Sequence, residues 1–138
     1  MNKFVSFNNI GYEAATFPVS EAAQTYLKEH HLNPKTGNVD INGKNLAVKL
    51  NADGTVGFGA GAAADALLGI IIAYEMDGFA SVQFRGGIDE VPTSAKLNGG
   101  YQALAVNAKG EVVSVEGGRN TIVAIPSTDE ELFASLVL

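Results

Sequence analysis

Sixteen glycines punctuate the 138-residue chain, standing between short runs of Val, Ile, Leu and Ala. Glycine weakens the interior of a helix or strand and is useful in turns and bulges. The pattern predicts many short strands joined by tight turns. We expect a mainly β protein, a β-sandwich or small barrel-like body of short antiparallel strands, with one or two short helices. The hydrophobic share of 46% is enough for a core without cross-links, and this length suits one domain.

The β pattern is clearest after residue 45. Leu46, Val48 and Leu50 alternate with Ala47 and Lys49, and Asn51-Ala52-Asp53-Gly54 reads as a turn. Ala52-Asp53 fits type I geometry, with Gly54 at a G1 bulge. Thr55–Phe58 is the returning strand. Ile70-Ile71-Ile72 favours strand over helix because β-branched side chains lose rotamer freedom in helices. Ala80, Val82 and Phe84 alternate with Ser81, Gln83 and Arg85. A short strand follows between Gly86-Gly87 and Val91-Pro92. Tyr101–Val106 and Glu111–Val115 form a second hairpin, and Thr121–Ile125 a further strand. Ala47–Val56 aligns with Ala103–Val112 without a gap, with identities at Ala47/Ala103, Asn51/Asn107, Ala52/Ala108, Gly54/Gly110 and Val56/Val112. Either one turn type demands the likeness or the chain holds a duplication.

Two helices are expected. Ser20 is a fitting N-cap for a helix ending near His30-His31, before Asn33-Pro34. Ser127-Thr128-Asp129-Glu130 matches a capping box, predicting a closing helix over Glu131–Leu136. Residues 1–17 carry Phe4, Phe7, Ile10, Tyr12 and Phe17 without helical spacing. They read as an extended N-terminal arm or as an ordinary first strand. We divide the chain into an arm, 1–17, and a single β-rich domain, 18–138, and take the five apolar residues as partner-binding.

Composition narrows the function. The formal charge is −6 and the nine Lys and Arg nowhere cluster, which disfavours nucleic acid, whose binding rests on cations that neutralise phosphates. No apolar stretch approaches the roughly 20 residues of a membrane helix, and 1–9 is too broken for a signal segment. With no cysteine, disulfides and thiolate metal sites are excluded. Gly59-Ala60-Gly61-Ala62-Ala63-Ala64 matches a dinucleotide-binding string, but no βαβ unit surrounds it. His30 and His31 diverge on a helix and do not chelate one metal easily. Asn51–Gly54 lacks the bidentate Glu that completes a calcium loop. Asp89-Glu90 and Asp129-Glu130-Glu131 are not placed as a catalytic pair. With two adjacent histidines, few nucleophile–base arrangements are open, so we expect no enzyme, no cofactor and no metal.

From Asn45 to Pro126 the order of features is Ala47-Val48-Lys49-Leu50-Asn51-Ala52-Asp53-Gly54-Thr55-Val56, a small-residue loop, Leu68-Gly69-Ile70-Ile71, strands around Ala80–Gly86, and Tyr101–Val112. This order resembles the tailed-phage capsid decoration proteins, also called cement or head-stabilising proteins. The resemblance implies a β-rich body that docks on the outer face of a capsid, with the major capsid protein lattice as partner. It implies a homo-oligomer, a trimer in preference to a monomer, and a place on the virion after synthesis in the host cytoplasm. It also implies arms tying neighbouring subunits together, a role residues 1–17 would suit. The helices after Ser20 and Ser127 depart from the simple pattern. A tail- or fibre-associated module and a small ligand-binding β-barrel are the competing readings.

Overall fold

The computed structural model describes residue 11, residues 13–75 and residues 77–138. Ten strands form two antiparallel five-stranded sheets, as the glycine punctuation implies. The first sheet holds β1 (Glu13–Pro18), β2 (Ala47–Leu50), β3 (Val56–Gly57), β4 (Leu67–Tyr74) and β5 (Phe79–Arg85), in spatial order β1-β5-β4-β2-β3. The second holds β6 (Gly87–Pro92), β7 (Gly100–Val106), β8 (Val112–Ser114), β9 (Arg119–Ile125) and β10 (Phe133–Val137), in order β6-β10-β9-β7-β8. One helix, α1 (Glu21–His30), lies between β1 and β2.

The expected first helix forms where its cap requires. Ser20 Oγ accepts from Ala23 N at 3.2 Å, satisfying one of the amides a helix start leaves open. Both hairpin turns close alike. Gly54 N donates to Asn51 O at 3.0 Å, and Gly110 N to Asn107 O at 3.2 Å. Gly54 and Gly110 have φ of 86° and 78°, the left-handed values a G1 bulge needs.

The two sheets share one topology. Laying the two strand orders side by side maps β1 to β6, β2 to β7, β3 to β8, β4 to β9 and β5 to β10. The register repeats as well. Ala47 and Val48 face Ile70 and Gly69, while their aligned counterparts Ala103 and Leu104 face Asn120 and Arg119. Pro18 faces Phe79 in the first sheet, and Pro92 faces Phe133 in the second. Ser20 N donates to Val56 O at 2.9 Å, and Ser94 N to Val112 O at 3.1 Å. Phe79-Ala80-Ser81 recurs as Phe133-Ala134-Ser135. Turn chemistry cannot produce agreement this far from the turns. The chain is two copies of one five-stranded unit.

Two cores order the layers. Ala23 and Leu27 of α1 join Val48, Val56, Ile71, Ala80 and Val82 on one face of the first sheet. Ala47, Leu67 and Ile70 join Val91, Leu104, Val106, Val112, Val123, Ala134 and Leu136 of the second unit. The layers therefore run helix, first sheet, second sheet. Arg119 ties the sheets together: its Nη1 and Nη2 donate to the carbonyls of Leu68 (2.6 Å) and Phe84 (3.0 Å).

Two expectations need correction. The closing helix is absent, and Phe133–Val137 is strand β10 between β6 and β9. Ser127 cannot cap a helix because its buried Oγ accepts from Leu97 N at 2.7 Å. Thr128 Oγ1 accepts from Glu131 N at 3.0 Å instead, closing a turn. Ala134 and Leu136 then bury at the two-residue spacing of a strand. The second correction concerns the arm. Its last part, Glu13–Pro18, is the edge strand β1 paired with β5, the alternative the sequence left open.

Candidate docking surfaces

Of the five residues assigned to partner binding, Phe17 is among the described residues. Phe17 is half-buried and packs against the core around Leu27, Ala80 and Val82, so it supports the fold. Phe4, Phe7, Ile10 and Tyr12 lie outside the described residues.

The string Gly59–Ala64 has a definite role in the fold. The amides of Ala60 and Ala62 point at Asp65 Oδ2, at 2.8 and 3.3 Å. The other carboxylate oxygen accepts from Lys49 Nζ at 2.7 Å. The chain's own carboxylate thus fills the place a phosphate would take in a glycine-rich cradle. A Cβ on Gly59 would lie 2.4 Å from Asp65 Cγ, so the loop must wrap tightly there. Lys49 and the two amides hold the Asp65 carboxyl below its usual range. Gly59 and Gly61 N then donate to Asn107 and Val106 O, at 3.3 and 2.9 Å, fastening the loop to the second unit.

The two histidines end α1. The Tyr26 ring stacks on His30 with centroids 4.4 Å apart. Burial, then Lys44 and His30, lower the His31 pKa. Among the described residues no three His, Asp or Glu side chains form a metal-binding group, and no helix is long and apolar enough to cross a membrane. A cavity of about 260 Å³ lies among Lys28, Leu32, Asn38, Val39 and Tyr74, and a more open cleft of about 420 Å³ among His30, His31, Asp40 and Lys44.

Apolar side chains in solvent are the more informative feature. Phe79 and Phe133 are 41% and 55% exposed. Each opens the strand next to its edge strand and faces a proline across the ladder. Each also follows an acidic turn, Glu75 to Gly78 in one unit and Asp129 to Leu132 in the other. The duplication therefore builds the same aromatic corner twice.

A second surface lies on the outer face of the second sheet. Leu104, Val123 and Leu136 are buried toward the first sheet, so alternation turns Tyr101, Ile122 and Val137 outward. The register makes them one row across three strands, Tyr101 facing Ile122 and Ile122 facing Val137. Tyr101 is 79% exposed and Ile122 37%.

No family model matches the chain, and no curated protein or solved structure matches it.

Sequence reading missed both surfaces. Phe133 sat inside the expected helix. Thr121-Ile122-Val123-Ala124-Ile125 is a continuous apolar run, in which alternation cannot say which face is wet. The one available signal for the corners was the repeated Phe-Ala-Ser.

Proposed function

We propose that this protein is a structural capsid decoration protein, docking on the outer surface of a phage head and stabilising the mature shell. The observation that carries the reading is the pair of equivalent Phe–Pro corners on one packed two-sheet body. A duplicated contact point suits a partner that is itself repeated, because two weak contacts to one lattice raise retention through effective concentration. Exposed aromatic side chains are the residue type that anchors protein interfaces. The acidic turns beside them favour sockets rimmed by Lys or Arg. The resemblance over Asn45–Pro126 supplies the partner class.

Co-sedimentation of the purified protein with expanded and unexpanded tailed-phage head shells tests the proposal. Saturable pelleting with expanded shells is expected, together with its loss in the Phe79→Ser/Phe133→Ser double variant and intermediate retention in each single variant. Failure of the unaltered protein to pellet with any shell would overturn the reading.

A further inference from the structure

We propose that Asn98 is a self-modifying site, at which the backbone nitrogen of Gly99 attacks the Asn98 side-chain amide and water completes its conversion to aspartate and isoaspartate. The step balances with water as the one co-reactant. Gly99 N loses its proton and forms a bond to Asn98 Cγ. The Cγ–Nδ2 bond breaks, and the nitrogen leaves as ammonia with that proton. Water then opens the five-membered imide. Attack at Cγ restores the main chain and leaves aspartate, whereas attack at the Asn98 main-chain carbonyl routes the chain through the side chain as isoaspartate.

The reaction needs an asparagine in solvent and a following residue whose side chain does not shield its nitrogen, which glycine supplies. It also needs that nitrogen free of the hydrogen bond a backbone donor ordinarily makes. Four steps place Asn or Asp before Gly: 42–43, 53–54, 77–78 and 98–99. The fold separates them. Gly54 N donates to Asn51 O at 3.0 Å and Gly78 N to Glu75 O at 3.2 Å, so both nitrogens are occupied. The nitrogens of Gly43 and Gly99 donate to no described residue, and Asn42 and Asn98 are exposed.

The surroundings then favour Asn98. Asn42 lies in a closed turn, where Lys44 N donates to Ile41 O at 3.1 Å and Asn42 N to Asp40 Oδ1 at 3.2 Å. Around Asn98 the pins lie outside the step. Leu97 N donates to Ser127 Oγ at 2.7 Å and Ser127 N to Leu97 O at 3.0 Å, while Gly100 pairs with Val123. The peptide plane between Asn98 and Gly99 can rotate to bring Gly99 N to Asn98 Cγ for the loss of one long contact, Gln102 Nε2 to Gly99 O at 3.4 Å. A Cβ on Gly99 would meet nothing closer than 3.6 Å, so the space around the step is open. The hairpin asparagines are protected instead: Asn51 Nδ2 donates to Thr55 Oγ1 at 3.0 Å and Asn107 Nδ2 to Glu111 Oε1 at 2.9 Å, and alanine follows each. Conversion at Asn98 takes the formal charge from −6 to −7, and isoaspartate adds a methylene to the main chain just ahead of β7.

Incubation of the purified chain in mildly alkaline buffer, with peptide mapping by mass spectrometry at intervals, tests the site independently of the capsid reading. Cleavage after Lys96 and Lys109 releases one peptide, 97–109, that holds both Asn98 and Asn107, so each serves as standard for the other. The amide-to-acid mass gain should appear at Asn98 in two products of equal mass, aspartate and isoaspartate, faster as pH rises, with Asn42 trailing and Asn107 unchanged. Gly99→Ala, which the open surroundings tolerate, should slow the conversion about tenfold, equivalent to roughly 1.4 kcal/mol on the barrier. Asn98 that stays intact in the folded chain while the guanidinium-unfolded chain converts it overturns the proposal. So does conversion of Asn42 or Asn107 as fast as Asn98, or a rate that Gly99→Ala leaves unchanged.

Discussion

Replacing Asp65 with Ala tests the claim that an internal carboxylate, not a ligand, organises the glycine-rich loop. The change removes three hydrogen bonds, from Lys49 Nζ, Ala60 N and Ala62 N. It also leaves an ammonium that is 22% exposed without that carboxylate. Bonds to a charged group contribute roughly 1.5–3 kcal/mol, and partial access of water to Lys49 places the loss at about 2 kcal/mol. Melting entropy of about 2.1 cal/mol/K per residue converts this to a fall in Tm of about 7 °C. Thermal and urea unfolding followed by circular dichroism would measure it. The pH dependence has a definite sign. The folded-state pKa lies below the unfolded value, so the stabilisation is complete above about pH 4–5 and disappears as pH falls through the folded pKa. The gap between parent and Asp65→Ala should therefore be constant near neutrality and narrow in acid. In the Asp65→Ala background, Lys49→Met should cost less than in the parent, with a coupling of about 1 kcal/mol. A loss below about 0.5 kcal/mol at neutral pH, the range of ordinary surface substitutions, would refute the reasoning, as would a gap that does not narrow in acid.

Two further substitutions probe how the sheets are built. A Cβ on Gly69 would lie 2.1 Å from the Gln83 carbonyl oxygen, so Gly69→Ala should cost about 3 kcal/mol in urea unfolding. Gly99→Ala, whose nearest contact would be at 3.6 Å, should stay within about 0.5 kcal/mol of the parent. Arg119→Lys should lose about 1–2 kcal/mol despite keeping the charge, because one ammonium cannot reproduce the fork that reaches Leu68 O and Phe84 O together. Parity between Arg119→Lys and the parent would remove the inter-sheet role assigned to the guanidinium.

The β-rich class and both hairpins were legible because period-two alternation and Asn-x-x-Gly turns are local signals, and Leu46–Val56 and Tyr101–Val112 carry both. Helix α1 was legible from Ser20 for the same reason. The last strand was not. Ser127-Thr128-Asp129-Glu130 satisfies a capping pattern, and Phe133–Val137 is too short for its period to decide between helix and strand. What decides is the gap between β6 and β9 that β10 fills, and no local window contains that gap. The extent of the repeat was hidden by unequal insertions. Val19–Leu46, with its helix, stands in one unit where Thr93–Gly99 stands in the other. The outward row needed both register and layer order, which exist only in the assembled molecule.

The duplication also explains why one unit has a helix and the other does not. Each sheet must bury one apolar face against another layer. The first sheet meets this need with α1, through Ala23 and Leu27. The second meets it with the back of the first, through Ala47, Leu67 and Ile70, so a second helix is unnecessary. Layers stacked in this manner must end on one uncovered sheet face, and the side chains on that face decide whether stacking continues. A fully apolar face would recruit further layers without limit. A row of Lys and Glu would stop the stack at one chain. Here the equivalent of Ile70 is Asn120, while Tyr101 and Ile122 stay apolar and Ser135 of the same sheet donates to the Asp89 carboxylate. That mixture is neither of these extremes.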